Sequence, residues 1–138
     1  TQVFPDYEVF LLNQNYRNTH QIVEFVAKTL DVDMKSIGFN GPKIEEISAR
    51  NIATFFKNKN GLKAVICSDK TKDLYERKSY NLPALKGRIS KTKINFMTVY
   101  ESKGLEFTSV AVIPEGMTKN EKYIAYTRAL KALAVVKD

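Results

Sequence analysis

Short apolar runs alternate along this chain with segments whose apolar residues recur at helical spacing. Glu8-Val9-Phe10-Leu11-Leu12 reads as a short buried strand. Asn18 or Thr19 can cap a helix to about Leu30, with Ile22, Val23, Phe25, Val26 and Leu30 as its apolar stripe. A loop with two glycines follows to Pro42, and Lys43 to Ile47 fits a short strand. Ser48 can cap a helix that turns Ile52, Phe55 and Phe56 inward, and Gly61 suits its left-handed end. Leu62 to Cys67 is dense enough to be a central strand. Ser68 or Asp69 then caps a short helix to about Lys78. Asn81 to Thr92 is loop-like, Ile94 to Tyr100 and Ser109 to Ile113 read as strands, and Gly104 marks a turn between them. A helix from about Glu121 to Leu130 and a strand from Ala132 to Val136 complete the pattern.

This alternation predicts one α/β domain over residues 1–138, with a mainly parallel sheet flanked by helices in three layers. Ligands of such sheets sit at loops beyond the carboxyl ends of strands. A length of 138 residues suits one domain, and 43% apolar residues supply a core.

Charge adds a second signal. Residues 1–60 balance seven Lys/Arg against seven Asp/Glu, so the net +7 arises from the fifteen basic and eight acidic residues of 61–138. Arg77, Lys78, Lys86, Arg88, Lys91 and Lys93 form a run with no acid before Tyr100. Such a stretch either attracts phosphate backbones by counterion release or is a solvated loop. The start at Thr1 suggests a processed product or a piece of something longer, and its first residues lack the pattern of a signal peptide. No run approaches the ~18 apolar residues of a membrane helix. Cys67 is the sole cysteine, which excludes an internal disulfide and a thiolate metal cluster. It reads as an inert core thiol, and the lone His20 as a surface or packing residue, so no metal ligand set is expected. The default location is the cytoplasm.

Three segments, in order, carry a resemblance. Leu12-Asn13-Gln14-Asn15-Tyr16-Arg17-Asn18 is similar to a "QNYRS" motif. Thr98 to Phe107 is similar to "T-x-H-x-x-K-G-L-E-F", and Tyr123 to Ala129 to "Y-V-A-x-T-R-A". Together they resemble the C-terminal, second RecA-like motor domain of UvrD/Rep-type superfamily 1 DNA helicases, and the matching segments span most of the chain. Leu62 to Lys70 looks like a weaker strand motif of the same family.

The resemblance implies roles that stand beside simpler ones. Arg17, at the end of the first strand, can grip phosphate in a bidentate fork. The family's matching arginine reaches the γ-phosphate across a domain cleft. Tyr16 would stack on adenine, or it packs as a half-buried aromatic. Arg128 would be a second γ-phosphate contact of the kind that stabilises transition-state charge in trans, or a structural ion pair. Glu106, after the Gly104 turn, would accept bonds from ribose hydroxyls, or pair with Lys103. Thr98, Tyr100, Ser102 and Lys103 would meet the DNA backbone, joined by Lys86, Arg88, Lys91 and Lys93 through non-specific affinity. Tyr100 stands where the family usually has His, and its ring could stack on a base.

No phosphate-cradling Gly-rich Lys-Ser/Thr loop occurs, nor an apolar strand ending in Asp-Glu. The resemblance assigns both to an N-terminal RecA-like domain of the same polypeptide. ATP and Mg²⁺ would then act in the full-length parent, and this chain alone would bind neither productively nor hydrolyse ATP. The family's accessory insertion is missing; only about Asn81 to Lys93 fills its place. Before Arg128 only Lys119 to Lys122 stands for a usual charged cluster. The Tyr100 variant and the missing insertion together resemble the helicase IV-like branch, which includes ATPases that bind RNA polymerase. Two functions follow: a DNA helicase or translocase motor domain acting on single-stranded DNA, or an RNA-polymerase-associated remodelling ATPase domain.

Overall fold

The computed structural model describes residues 17–77 and 89–137. In chain order these form α1 (His20–Leu30), β1 (Glu45–Ile47), a 3₁₀ turn (Ala49–Asn51) leading into α2 (Ile52–Phe56), β2 (Lys63–Cys67), α3 (Lys72–Arg77), β3 (Ile94–Thr98), α4 (Val99–Ser102), β4 (Phe107–Val112), α5 (Lys119–Thr127) and β5 (Ala129–Val136). The expected strand over residues 8–12, Tyr16, Lys86 and Arg88 lie outside the described residues, as does most of the loop expected from Asn81 to Thr92.

The strands pair in parallel in the order β1-β5-β4-β2-β3. The chain is thus a RecA-like α/β domain. Alternation along each strand divides the core in two. Ala64, Ile66, Val110, Val112, Leu133 and Val135 meet Ile22, Val26 and Leu30 of α1 and Ala125 and Tyr126 of α5. On the other face Val65, Cys67, Phe96, Ala111 and Ala134 meet Ile52, Phe55 and Phe56 of α2. Full burial of each large apolar side chain contributes about 1.5–3 kcal/mol. Cys67 is a buried core thiol.

Caps account for several boundaries. Thr19, not Asn18, caps α1, accepting from the Ile22 amide. Thr98 and Glu101 form a capping box, which ends β3 at Thr98 rather than Tyr100 and starts α4. Thr118 and Glu121 form another, which starts α5 at Lys119. The helix expected to reach Leu130 stops at Thr127, and Arg128 is its C-cap. The chain turns there because Ala129 already pairs with Phe107, so β5 begins three residues earlier than expected. Ser48 precedes a 3₁₀ turn and makes no side-chain capping bond to the backbone, its hydroxyl instead accepting from the Asn51 side chain. α2 ends at Phe56, so Gly61, at φ 88°, serves the entry to β2 and does not cap the helix.

One buried amide organises the start of β2 and β3. Asn95 is 1% exposed; its Nδ2 donates to the carbonyls of Lys63 (2.9 Å) and Ser90 (3.0 Å), and its Oδ1 accepts from the Ser90 amide (2.7 Å). The turn before β3 is therefore tied to β2 by a side chain. Asn95→Ala would leave these groups unpartnered and is expected to lower stability by about 2–4 kcal/mol in urea denaturation. Asn51→Ala, which removes an exposed bond, is expected to cost less than about 0.5 kcal/mol; equal effects would contradict the structural role of Asn95.

Candidate functional site

The three recognised segments meet at the amino ends of β4 and β5. Glu106 immediately precedes β4 and Arg128 immediately precedes β5. The expectation of polar groups beyond the carboxyl ends of strands is met by Tyr100, which follows β3, but not by Glu106 and Arg128. The reason is local: the Gly104 turn and the α5–β5 corner both lie where the chain re-enters the sheet, not where it leaves it.

Asn18 joins these segments. It is 5% exposed, and its Nδ2 donates to the carbonyls of Thr127 (2.9 Å) and Ala129 (2.6 Å), the two residues flanking Arg128. The Thr19 amide adds a bond to the Leu130 carbonyl at 3.1 Å. A register irregularity helps: β5 runs from Ala129 to Ala132 while β4 runs only from Phe107 to Ser109, so β5 carries an extra residue. Bulges of this kind re-aim the groups around them. The approach is tight, since a Cβ on Gly38 would strike the Asn18 carbonyl.

Arg17 enters beside this clamp. Its Nη1 donates to Glu106 Oε1 at 2.8 Å, with side-chain exposures of 71% and 38%. Glu106 therefore pairs with Arg17 and not with Lys103. Gly104, at φ 82°, allows the turn that presents this carboxylate; a side chain there would have space but a strained backbone.

Arg128 is half-buried and held by neutral groups. Its Nε donates to the Ile124 carbonyl (3.1 Å), its Nη1 to the Leu105 carbonyl (3.1 Å), and its Nη2 lies 3.5 Å from Thr127 Oγ1. Burial pulls its pKa below the usual guanidinium value, while the nearby charge of Glu106 and then Tyr123 act in the opposite sense. A guanidinium nevertheless stays protonated in proteins. With these bonds made, one N–H remains on each terminal nitrogen. Among the described residues no carboxylate bonds to Arg128, so the simple ion-pair alternative is not what the geometry contains. A half-buried cation with spare donors can receive an anion such as phosphate. The Glu106 carboxylate is engaged by Arg17.

The segment expected to meet DNA divides in two. Thr98 is buried as the cap of α4, and Ser102 is buried with its hydroxyl donating to the Val99 carbonyl at 2.7 Å. Both hydroxyls work inside the fold. Tyr100, 73% exposed, and Lys103 face solvent, with the Lys103 ammonium 5.7 Å from the Tyr100 ring centroid. Lys91 and Lys93 are exposed on the turn before β3. His20 is half-buried at the start of α1, where its backbone amide bonds to Phe39. Sequence reasoning treated Asn18 only as a possible cap. The signal for its second role was its burial beside Arg17, which a linear pattern does not carry.

Neither a family model nor a curated protein matches the chain. Among solved structures, it resembles the C-terminal domain of a possible DNA helicase from Lactobacillus plantarum WCFS1. The TM-score is 0.57 and the identity 15%, over 86% of this chain and 85% of that one. The fold is shared with that domain. Two structures of the PRRSV nsp10 helicase, one of them methylated, align at TM-scores of 0.48 and 0.49 and 13% identity, over 88% of this chain. This chain spans 22% of that viral protein.

The clamp makes an asymmetric prediction. Asn18→Asp replaces a donor by an acceptor facing two carbonyls and is expected to destabilise the domain more than Asn18→Ala. The alanine change should cost about 1–3 kcal/mol. Denaturant unfolding checks this, and an aspartate variant as stable as wild type would contradict it.

Proposed function

We propose that this chain is the second motor domain of a UvrD/Rep-type superfamily 1 helicase or translocase. It would supply Arg17 and Arg128 in trans to ATP held by an N-terminal RecA-like domain of the same polypeptide. The observation that carries this reading is the convergence of Arg17, Glu106 and Arg128, three residues from three separate motifs, at one end of the sheet. The shared fold with a helicase C-terminal domain supports it.

ATP, when bound with Mg²⁺, supplies the phosphoanhydride bond whose hydrolysis drives movement. The chain's own residues act by charge and position. Arg128 is pre-oriented by the carbonyls of Ile124 and Leu105, so little reorganisation is needed to meet developing negative charge. Arg17 is held by a carboxylate that an incoming phosphate can replace. Glu106, released from Arg17, can accept from ribose hydroxyls. Tyr16, one residue before Arg17, would stack on the base. Single-stranded DNA would meet Tyr100 and Lys103, the solvent-facing pair of their segment.

In the intact polypeptide, Arg128→Ala is expected to reduce ATP turnover by about 10³-fold or more, beyond what its loss of the two carbonyl bonds costs in stability, in a protein that is still folded at the assay temperature. Arg128→Lys should not restore it, because an ammonium cannot reproduce the planar fork held by the two carbonyls. Unchanged turnover in a folded Arg128→Ala protein would remove the assignment.

A further inference from the structure

A second polar feature lies on the same edge of the sheet but on the α2 face. α2 and the starts of β2 and β3 enclose an open groove of about 610 Å³, lined by Ala53, Thr54, Phe56, Lys57, Lys63, Thr92, Lys93 and Ile94. Three of these are lysines, two carry hydroxyls, and none is acidic. Among the described residues the ion pairs are Arg17–Glu106, Lys72–Glu101 and Lys137–Glu46, so no carboxylate neutralises the groove lysines.

The groove is also built. The Lys63 carbonyl and the turn carrying Lys91, Thr92 and Lys93 are fastened to one another by the buried Asn95 amide. The Ser90 hydroxyl accepts from the Lys93 amide at 2.9 Å and closes that turn. A merely solubilising lysine loop needs no such scaffold. Lys59 is held apart, with its ammonium on the Phe55 carbonyl and over the Phe55 ring. Lys57, Lys63 and Lys93 are thus presented from fixed backbone into one open trough.

We infer that this groove binds the phosphodiester backbone of a nucleic-acid strand through Lys57, Lys63 and Lys93. Its openness suits a polymer passing along the surface. Separated positive charges suit successive phosphates, and the apolar floor of Ala53, Phe56 and Ile94 offers no base-edge hydrogen bonding, so the contact reads charge and not sequence. The site lies at the opposite end of β3 from Tyr100, which follows Thr98, and it does not depend on the helicase reading. Lys57 and Lys63 were not part of the basic run visible in the sequence.

The test is fluorescence anisotropy of labelled oligo-dT and oligo-U with the chain, over a salt series. Each phosphate contact on a single strand contributes about 0.7 to the log–log salt slope. Lys57→Gln/Lys63→Gln/Lys93→Gln is expected to lower the slope by about 2 and to weaken binding, while the matching triple Lys→Arg variant keeps both. Lys57→Gln/Lys93→Gln, changing only exposed side chains, guards against misfolding and should lower the slope by about 1.4. Loss on both polymers shows that phosphate alone is held, and loss on one identifies the sugar that the groove accepts. An unchanged slope in the folded variants, or no binding at low salt, overturns the proposal. Neither result bears on ATP turnover, which tests the helicase reading separately.

Discussion

Burial of a parallel sheet on both faces is the constraint from which the rest of this structure follows. β2, β4 and β5 are covered by α1 and α5 on one side and by α2 on the other, so their side chains are committed to the core. Polar chemistry is then confined to the strand ends. Here it gathers where strands begin, at Glu106 and Arg128 on β4 and β5 and at Lys63 and Lys93 on β2 and β3. The core makes these positions rigid, and rigidity is what allows charged groups to be held in place with few bonds.

Two buried asparagines fasten the strand ends where the charged groups sit. Asn18 ties the arginine-bearing entry segment to the corner that carries Arg128, and Asn95 ties β2 to the turn that carries Lys93. Each bonds backbone groups of a neighbouring segment, and each would be costly to leave unmade. The arrangement also explains why the two arginines differ. Arg17 is exposed and paired with a carboxylate, whereas Arg128 is half-buried and bonded to carbonyls. One is an exposed ion pair, and the other a half-buried cation with donors to spare.

Much of the fold was legible in the sequence. The stripe of Ile22, Val26 and Leu30, the run ending at Cys67 and the turn at Gly104 all produced elements close to their observed places. Boundaries moved where a side chain competed with the pattern. Thr98 ended β3 by capping α4, and pairing of Ala129 with Phe107 ended α5 before its apolar period did. The candidate arginines and Glu106 were named from their motifs, but the edge of the sheet they occupy was not. Strand–helix alternation alone does not specify which loops carry polar groups inward. Thr98 and Ser102 illustrate the same limit, since a hydroxyl that could meet a phosphate can equally complete a turn. The pairing of Arg17 with Glu106 and the gathering of Lys57, Lys63 and Lys93 are products of tertiary contact with no local sequence signal.

On the proposed reading, this domain completes a nucleotide site whose hydrolysis is coupled to a nucleic-acid strand. ATP turnover by the intact polypeptide, measured with and without single-stranded DNA, tests it most directly. Turnover is expected to rise strongly when the strand is added. An intact, folded polypeptide that hydrolyses no ATP under either condition would contradict it.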